Sequence, residues 1–380
     1  MNDRRLLAGF CDLGCAFGEP GFEQAETIQS GLRAAARGGY SVVAMEPFTD
    51  PPIDNDAQVQ LVLTRAQSAA TDGSPVPCRL LPLAAAAREH GTLSEMTLIK
   101  VAGAVGVSLG DTLPKSAAFL RSVLEYATQS KFTVFVHPSE ATLSEEGMVH
   151  EGDVAERLGL RGIPRDAEEI GLGILLPLVR RTGAKVHLSR LSTSIGVRMV
   201  RAAKASGLNI TADVSFRHLL RDESAIEGFD VDHKVFPPLR GIDDRMALWE
   251  GLMDGTIDAI CSMHRPIAAE TKTAEFSQSP YGTIGLETCF ASLCTENGKN
   301  GNPAVDASRW PEWLSNKPRN ILGLRPANPD LEGTWWEFGE SWTPSDSNLS
   351  SRSRNCPEIG QVLSPVPVAL RRDGHDIALP

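Results

Sequence analysis

The chain has 380 residues, of which 42% are hydrophobic, so it is long enough to bury a large core and to carry a smaller appendage. Its 37 Lys and Arg residues against 48 Asp and Glu give a formal net charge of −11, which argues against broad binding to nucleic acid or to a membrane surface. No apolar run reaches the roughly 20 residues of a membrane helix, and no signal-peptide core precedes residue 10, so we expect a cytoplasmic protein.

Seven cysteines are scattered along the chain without a C-x-x-C pair. This spacing is typical of reduced, mostly buried cysteines. We therefore expect no zinc-cysteine site.

Eight short apolar runs predict β-strands, and helical patterns lie between them. The strands are expected at residues 11–16, 41–45, 79–83, 104–109, 133–137, 185–190, 209–213 and 258–262. The clearest helices are expected at residues 24–37, 55–69, 115–129, 166–181 and 243–253. Uninterrupted apolar runs suit strands that are buried on both faces. The pattern predicts the α/β class and a (β/α)8 TIM barrel, with functional residues at the carboxyl ends of its strands, and a doubly wound open sheet is the alternative.

The character of the sequence changes after residue 295, where polar loop-like residues are followed by the helical pattern EWLSNKPRNILGL and a tail rich in turn residues. We divide the chain into a barrel at residues 8–300 and an appendage at residues 301–380, composed of a helix and short strands.

Six sequence blocks follow one another between about residue 8 and residue 372: GEPGFEQAETIQSGLRAAARGG, LGLRGIPRDAEEIG, VFPPLR, DGTIDAI, SPYGTIGLET and RSRNCPEIG. They resemble the dihydroorotase branch of the cyclic amidohydrolases. The resemblance implies a metal-dependent barrel that reversibly cyclises carbamoyl aspartate to dihydroorotate in pyrimidine synthesis. It also implies a β-sandwich beside the barrel. Here that sandwich is expected to be truncated and built from the tail, unless the chain has lost its start.

The family holds its metal with six side chains at strand ends, where the ion polarises the amide and acidifies a water. These are a His-x-His pair, a bridging carboxylate or carboxylated lysine, two single histidines and an aspartate. The resemblance places the pair on Gly14 and Ala16 and the bridging ligand on Leu109, with Asp111 two residues further on. It places the two single histidines on His137 and Arg190.

The aspartate of the eighth strand falls on Met263, so five of the six ligand positions are substituted. The positions that the family uses for substrate contacts and for its last histidine are substituted as well; they are Gly18, Phe48, Phe236 and Ile267. An arginine is always charged and cannot ligate a metal. We therefore expect no bound zinc and no catalytic residue.

A remnant pocket is expected from the polar residues that remain, which are His137, Glu140, His187, Arg190, His264 and Arg240. We expect Arg190 to occupy the former metal space and to pair with Glu140 or Asp111, because a buried guanidinium needs carboxylate partners. The apolar replacements would fill the rest of the pocket. Arg240 and the pair Asp243 and Asp244 are also typical of loop and helix-start residues.

The resemblance implies a catalytically inactive homologue that serves as a structural or regulatory partner of aspartate transcarbamoylase, in a homo- or hetero-oligomer. One alternative is an enzyme of altered chemistry that acts on a cyclic amide, either without metal or through His137, His187 and His264. A true dihydroorotase with an unusual site is the other.

Overall fold

A computed structural model describes residues 3–68, 78–88, 91–272 and 275–379. The strands are β1 (Arg4–Ala8), β2 (Phe10–Cys15), β3 (Tyr40–Met45), β4 (Arg79–Ala85), β5 (Gly106–Ser108), β6 (Thr133–Val136), β7 (Val149–His150), β8 (Gly162–Ile163), β9 (Lys185–Leu188), β10 (Ile210–Ser215), β11 (Ala259–Cys261), β12 (Glu332–Glu337), β13 (Val366–Arg372) and β14 (His375–Ile377). The helices are α1 (Ile28–Arg37), α2 (Asp56–Ser68), α3 (Met96–Ala102), α4 (Ala117–Ser130), α5 (Ala141–Ser144), α6 (Asp153–Leu158), α7 (Asp166–Thr182), α8 (Ser194–Ala205), α9 (Phe216–Leu220), α10 (Ile242–Asp254), α11 (Ala269–Lys272), α12 (Cys289–Thr295) and α13 (Lys317–Ile321).

The predicted barrel is confirmed by one sheet of eight parallel strands in the order β2, β3, β4, β5, β6, β9, β10 and β11. Each predicted strand is present, with its ends within two residues of the expected ones. The sheet closes between β11 and β2, where Ser262 N–H donates to Asp12 Oδ1 over 2.7 Å and Ala16 N–H donates to the His264 carbonyl over 2.8 Å. This closure rules out the open-sheet alternative.

The predicted helices are also present, with shifted ends. The first begins at Ile28 rather than at residue 24, because Thr27 and Ser30 form a capping box that starts the helix there. Residue 69, the last of the second predicted helix, lies outside the described residues. Helices α3 and α8 also lie between strands, although they are not among the clearest helical patterns of the sequence. Within the described residues, no helix is both long and apolar enough to cross a membrane.

The barrel interior is filled by apolar side chains from β2, β3, β4, β6 and β11, and the helix predicted after residue 300 lies against its amino-terminal end. The inner cluster consists of Leu13, Ala44, Leu83, Phe135, Ala259 and Ile321. Ile321 belongs to α13, which follows a π-helical turn at Glu312–Asn316 that contacts β2 and β11. Because this end is packed, the carboxyl ends of the strands are the open end of the barrel.

The predicted appendage is a four-stranded antiparallel sheet in the order β1, β12, β13 and β14. One strand comes from the start of the chain, where Leu6 pairs with Trp335, so the sheet is not built from the tail alone. Trp336 packs against Phe10 and Phe290 and joins this sheet to the barrel core. The domain boundary at residue 300 stays a prediction.

Candidate functional site

Three adjoining cavities lie at the carboxyl ends of the barrel strands. The central cavity of about 20 Å³ has room for one or two water molecules, and it is lined by Gly14, Ala16, Glu46, Phe48, Arg190, Phe236, Met263, His264 and Arg265 among others. The Leu109 cavity, of about 540 Å³, lies beside Leu109 and Leu113. The Arg265 cavity, of about 390 Å³, contains Gly18 and Ile267 in its wall. All nine substituted family positions therefore line these cavities, and Phe48 borders each of them.

Arg190 lies in the central cavity and is paired with Asp111, which also binds Arg265. Arg190 Nη2 donates to Asp111 Oδ1 over 2.7 Å, and Arg265 Nη1 donates to Asp111 Oδ2 over 2.6 Å. Burial alone would raise the pKa of Asp111, but the guanidinium groups of Arg265 and Arg190 outweigh it and hold that pKa well below its ordinary value. The carboxylate stays charged, and two cations converge where the family resemblance expects a metal.

The alternative prediction, that Arg190 pairs with Glu140, is wrong. Glu140 is the N-cap residue of α5, where its carboxylate accepts from Leu143 N–H over 2.9 Å and from Thr142 Oγ1 over 2.7 Å. Both bonds are accepted by Oε2, and they hold the Glu140 carboxylate at the start of α5. Glu140 therefore belongs to the loop beside the barrel and not to the charge cluster.

Glu46, which the sequence analysis missed, lies in front of Gly14. A Cβ atom on residue 14 would lie 3.1 Å from Glu46 Oε1, so this carboxylate occupies the space that a side chain at position 14 would enter. Ser108 Oγ donates to Oε2 over 2.8 Å. Burial raises the pKa of Glu46, and the nearby charge of Arg190 opposes that effect. The sequence signal that could have indicated Glu46 is a carboxylate directly after the apolar strand SVVAM.

A buried chain of hydrogen bonds fixes the backbone of Arg190. Its φ of 57° lies in the left-handed region, which is uncommon for a residue with a side chain. The Arg190 N–H donates to Asp213 Oδ1 over 2.6 Å, and Asp213 Oδ2 accepts from His187 Nε2 over 2.9 Å. His187 Nδ1 also contacts Thr211 Oγ1 over 2.9 Å. His187 thus lies inside the barrel and supports Arg190 through Asp213, rather than lining the cavities.

His137 is buried beside the central cavity as a neutral imidazole. Its Nδ1 donates to the Ser189 carbonyl over 3.0 Å, and its ring meets the edge of Phe236 at 5.4 Å between centroids. Burial and the charge of Arg190 lower the pKa of His137 to about 3. The imidazole is therefore uncharged at neutral pH, and a cationic side chain lies near it.

His264 lines the central cavity, whereas Arg240 lies elsewhere. His264 Nδ1 accepts from Gly285 N–H over 3.3 Å, and its Nε2 lies 3.6 Å from the buried carboxylate of Glu26. Arg240 Nη1 donates to the Ile163 carbonyl over 2.6 Å and to His150 Nδ1 over 3.2 Å. Arg240 thus joins the loop before α10 to the small β7–β8 sheet, and it borders none of the three cavities.

The residues at the strand ends do not fit the metal that the family resemblance implies. Gly14 and Ala16 offer no donor atom, and the guanidinium of Arg190 would repel a cation. Met263 packs with Val235 and Leu239 in an apolar cluster. Over the described parts of the chain, no three His, Cys, Asp or Glu side chains are grouped so as to hold an ion. His137, His187 and His264 each have their own protein partners and do not form such a group.

The fold and the position of the site define a (β/α)8-barrel protein with its candidate site at the strand ends. Residues 3–195 match the family model described as dihydro-orotase-like. A dihydroorotase from Caldanaerobacter subterraneus subsp. tengcongensis is 36% identical, with 95% of this chain and 83% of the relative covered. A dihydroorotase from Carboxydothermus hydrogenoformans is 38% identical, with coverage of 97% and 85%. The chain belongs to the dihydroorotase-like family.

Solved structures of hydantoinases share this fold. The L-hydantoinase from Arthrobacter aurescens superposes with a TM-score of 0.84 at 18% identity, covering 99% of this chain and 85% of that one. The D-hydantoinase from Thermus sp. gives a TM-score of 0.78 at 19% identity, covering 99% and 86%. At these identities the similarity concerns the barrel and its appendage.

Proposed function

We propose that this chain is a non-catalytic member of the dihydroorotase-like family that acts as a structural or regulatory subunit with aspartate transcarbamoylase. The observation that carries the proposal is the pairing of Arg190 with Asp111 in the central cavity. Two arginines and two carboxylates lie where the family reaction needs an ion and a proton carrier. Such a cluster disfavours a divalent cation, because the guanidinium groups already neutralise the carboxylates.

The retained barrel supports a role for the protein surface. All eight strands and a large buried core remain, although the side chains expected for the chemistry are replaced. A fold kept without its reaction is expected when binding to a partner maintains it. The identity of the partner follows from the family resemblance, and a cytoplasmic location fits that role.

The catalytic part of the proposal is tested by elemental analysis and by dihydroorotate hydrolysis on the purified chain. The Caldanaerobacter relative, assayed under the same conditions, is the positive control. We expect less than stoichiometric zinc and no turnover above the buffer rate. Stoichiometric zinc together with turnover would overturn the proposal of an inactive subunit.

The partner is tested by mixing the chain with the aspartate transcarbamoylase of the same organism. We expect the two proteins to co-elute in size-exclusion chromatography, with a change in transcarbamoylase activity or thermal stability. A barrel protein of similar size and charge is the control for non-specific association. Separate elution at micromolar concentration with unchanged activity would refute the partnership while leaving the result on catalysis intact.

A second function is favoured by the Leu109 cavity of about 540 Å³, which adjoins the central cavity. An amidohydrolase of altered chemistry could bind an anionic cyclic amide there without a metal. The same hydrolysis assay in the presence of a chelator distinguishes the two functions. Turnover that resists the chelator and is abolished by Arg190→Met would favour the altered enzyme.

A further inference from the structure

We propose that the Arg265 cavity binds a small aromatic monocarboxylate. This inference goes beyond the proposed function, because it concerns a ligand site and requires neither catalysis nor a partner protein. The cavity of about 390 Å³ lies within the size range of small-molecule sites. Its location at the open end of the barrel gives a ligand access from solvent.

The wall of the cavity is mainly aromatic and aliphatic. Phe17, Phe22 and Phe48 contribute three rings, and Ile267 and Pro266 add aliphatic surface. Phe22 is 43% exposed, so its ring can be reached from solvent. A flat ring placed among these side chains would gain both burial and edge or stacking contacts.

Arg265 is the cation in this wall, and part of its guanidinium is free. Its Nη1 is engaged by Asp111, and the group lies 5.2 Å from the centroid of the Phe48 ring. Within the parts of the chain that the structure describes, no side chain or carbonyl accepts from its Nε or Nη2. The Arg265 side chain is 30% exposed. Two donors of a planar guanidinium are therefore available to an incoming anion.

The pairing of Arg265 leaves room for a second carboxylate. Asp111 is shared by Arg190 and Arg265, so one carboxylate serves as the hydrogen-bond partner of both cations. Glu46, the next carboxylate, lines the central cavity and not the Arg265 cavity. A ligand carboxylate would complete the pairing of Arg265 without displacing Asp111.

The wall also excludes other ligand classes. Gln24 and Thr271 are the uncharged polar side chains in the wall, so a polar ring that lies against Phe17 and Ile267 would leave part of its amide groups without hydrogen-bond partners, which is costly. A phosphate group has more charge and more oxygens than one half-engaged guanidinium can satisfy. An aromatic ring with one carboxylate matches both the apolar wall and Arg265.

The proposal is tested by isothermal titration of the full chain with phenylacetate and with its neutral counterpart, phenylacetamide. We expect saturable binding of phenylacetate that is at least about tenfold tighter than that of phenylacetamide. Arg265→Met should weaken phenylacetate binding by about tenfold or more and leave phenylacetamide unchanged. Arg265→Lys keeps the charge without the planar fork and should give an intermediate affinity.

Ala268→Phe provides an independent test, because Ala268 lies in the cavity wall and a larger side chain there would fill it. It should abolish binding of both compounds while Arg265 is intact, and circular dichroism should show a folded chain. Equal affinity for the acid and the amide, or unchanged phenylacetate binding in Arg265→Met, would overturn the proposal. Equal competition by acetate would also overturn it, since this would reveal a simple anion site.

Discussion

Arg190 donates to Asp111 over 2.7 Å at the centre of the strand ends, and the same carboxylate accepts from Arg265 over 2.6 Å. Asp111 therefore joins two cationic loops, one after β9 and one after β11. The side chain of Arg190 is 11% exposed, so little solvent screens its charge. This carboxylate holds the open end of the barrel together by pairing with both cations.

Asp111→Asn is expected to destabilise the chain by about 3 kcal/mol, because it leaves two guanidinium groups facing a neutral amide. Arg190→Met should cost less, about 1–2 kcal/mol, since Asp111 keeps Arg265 as a partner. Urea denaturation measures both changes. The exposed pair of Arg201 and Asp254 provides the control, where Asp254→Asn should cost less than about 1 kcal/mol. Equal effects of the two Asp→Asn changes would contradict the role given to Asp111.

Glu46 and Gly14 are expected to be energetically coupled. Gly14→His should destabilise the chain by about 1–3 kcal/mol, because the new ring runs into the Glu46 carboxylate. Glu46→Ala in the same chain should recover at least about 1 kcal/mol of that loss. Gly14→Ala is the matched control, since a Cβ atom alone lies 3.1 Å from Glu46 Oε1 and needs only a small shift. A double-mutant cycle by urea denaturation measures the coupling, and strict additivity would argue against it.

Gly18 lies where its own loop leaves no space for a side chain. A Cβ atom there would lie 2.1 Å from the Phe22 carbonyl oxygen, so Gly18→Ala is expected to cost about 3 kcal/mol. Gly173 is exposed inside α7, and its Cβ would meet no atom within 4 Å. Gly173→Ala should therefore stabilise the chain by about 0.5–1 kcal/mol. Thermal unfolding of the two variants tests these expectations. A melting temperature that shifts in the same direction in both variants would contradict the packing argument.

The sequence was sufficient for the barrel because its strands are uninterrupted apolar runs, and such runs are easily recognised. The appendage was harder to predict. Strand β1 (RRLLA) is short and half exposed, and its partner Trp335 lies more than 300 residues away in the chain. Pairing at that separation has no local signal, so the contribution of the first residues to the sheet emerged only from the structure.

The site was predictable by position and only partly by pairing, since Asp111 was one of the two partners expected for Arg190 and the structure shows that pair. The family resemblance located the substituted strand ends, which do line the cavities. Arg265 and Asp213 were not singled out, because nothing in the local sequence shows that an arginine after β11 and a carboxylate in β10 lie beside Arg190. Glu140 was selected for its position after β6, whereas its carboxylate caps the next helix. Side-chain partners across loops depend on three-dimensional geometry.

His218 is expected to make the stability of the chain depend on pH. Burial lowers the pKa of His218 to about 4, and its Nε2 donates to the Pro238 carbonyl over 3.2 Å, which suits the neutral ring. In the unfolded chain a histidine has a pKa of about 6.5. Between these values the unfolded chain binds a proton that the folded chain does not, so stability falls as the pH falls from about 6.5 to about 4.

The contribution of His218 amounts to about 1.4 kcal/mol per pH unit over that window. His218→Gln keeps a donor for Pro238 but cannot titrate, so between pH 7 and pH 4.5 the variant should lose about 2–3 kcal/mol less than the wild type. Urea denaturation at several pH values measures the difference, with pH 8 as the reference because the imidazole is then neutral in both states. Burial and the cation of Arg240 also lower the pKa of His150 to about 4. The variant His150→Gln should therefore give the same result as His218→Gln. Parallel pH curves for wild type and His218→Gln would show that the folded chain accepts the proton at this buried site.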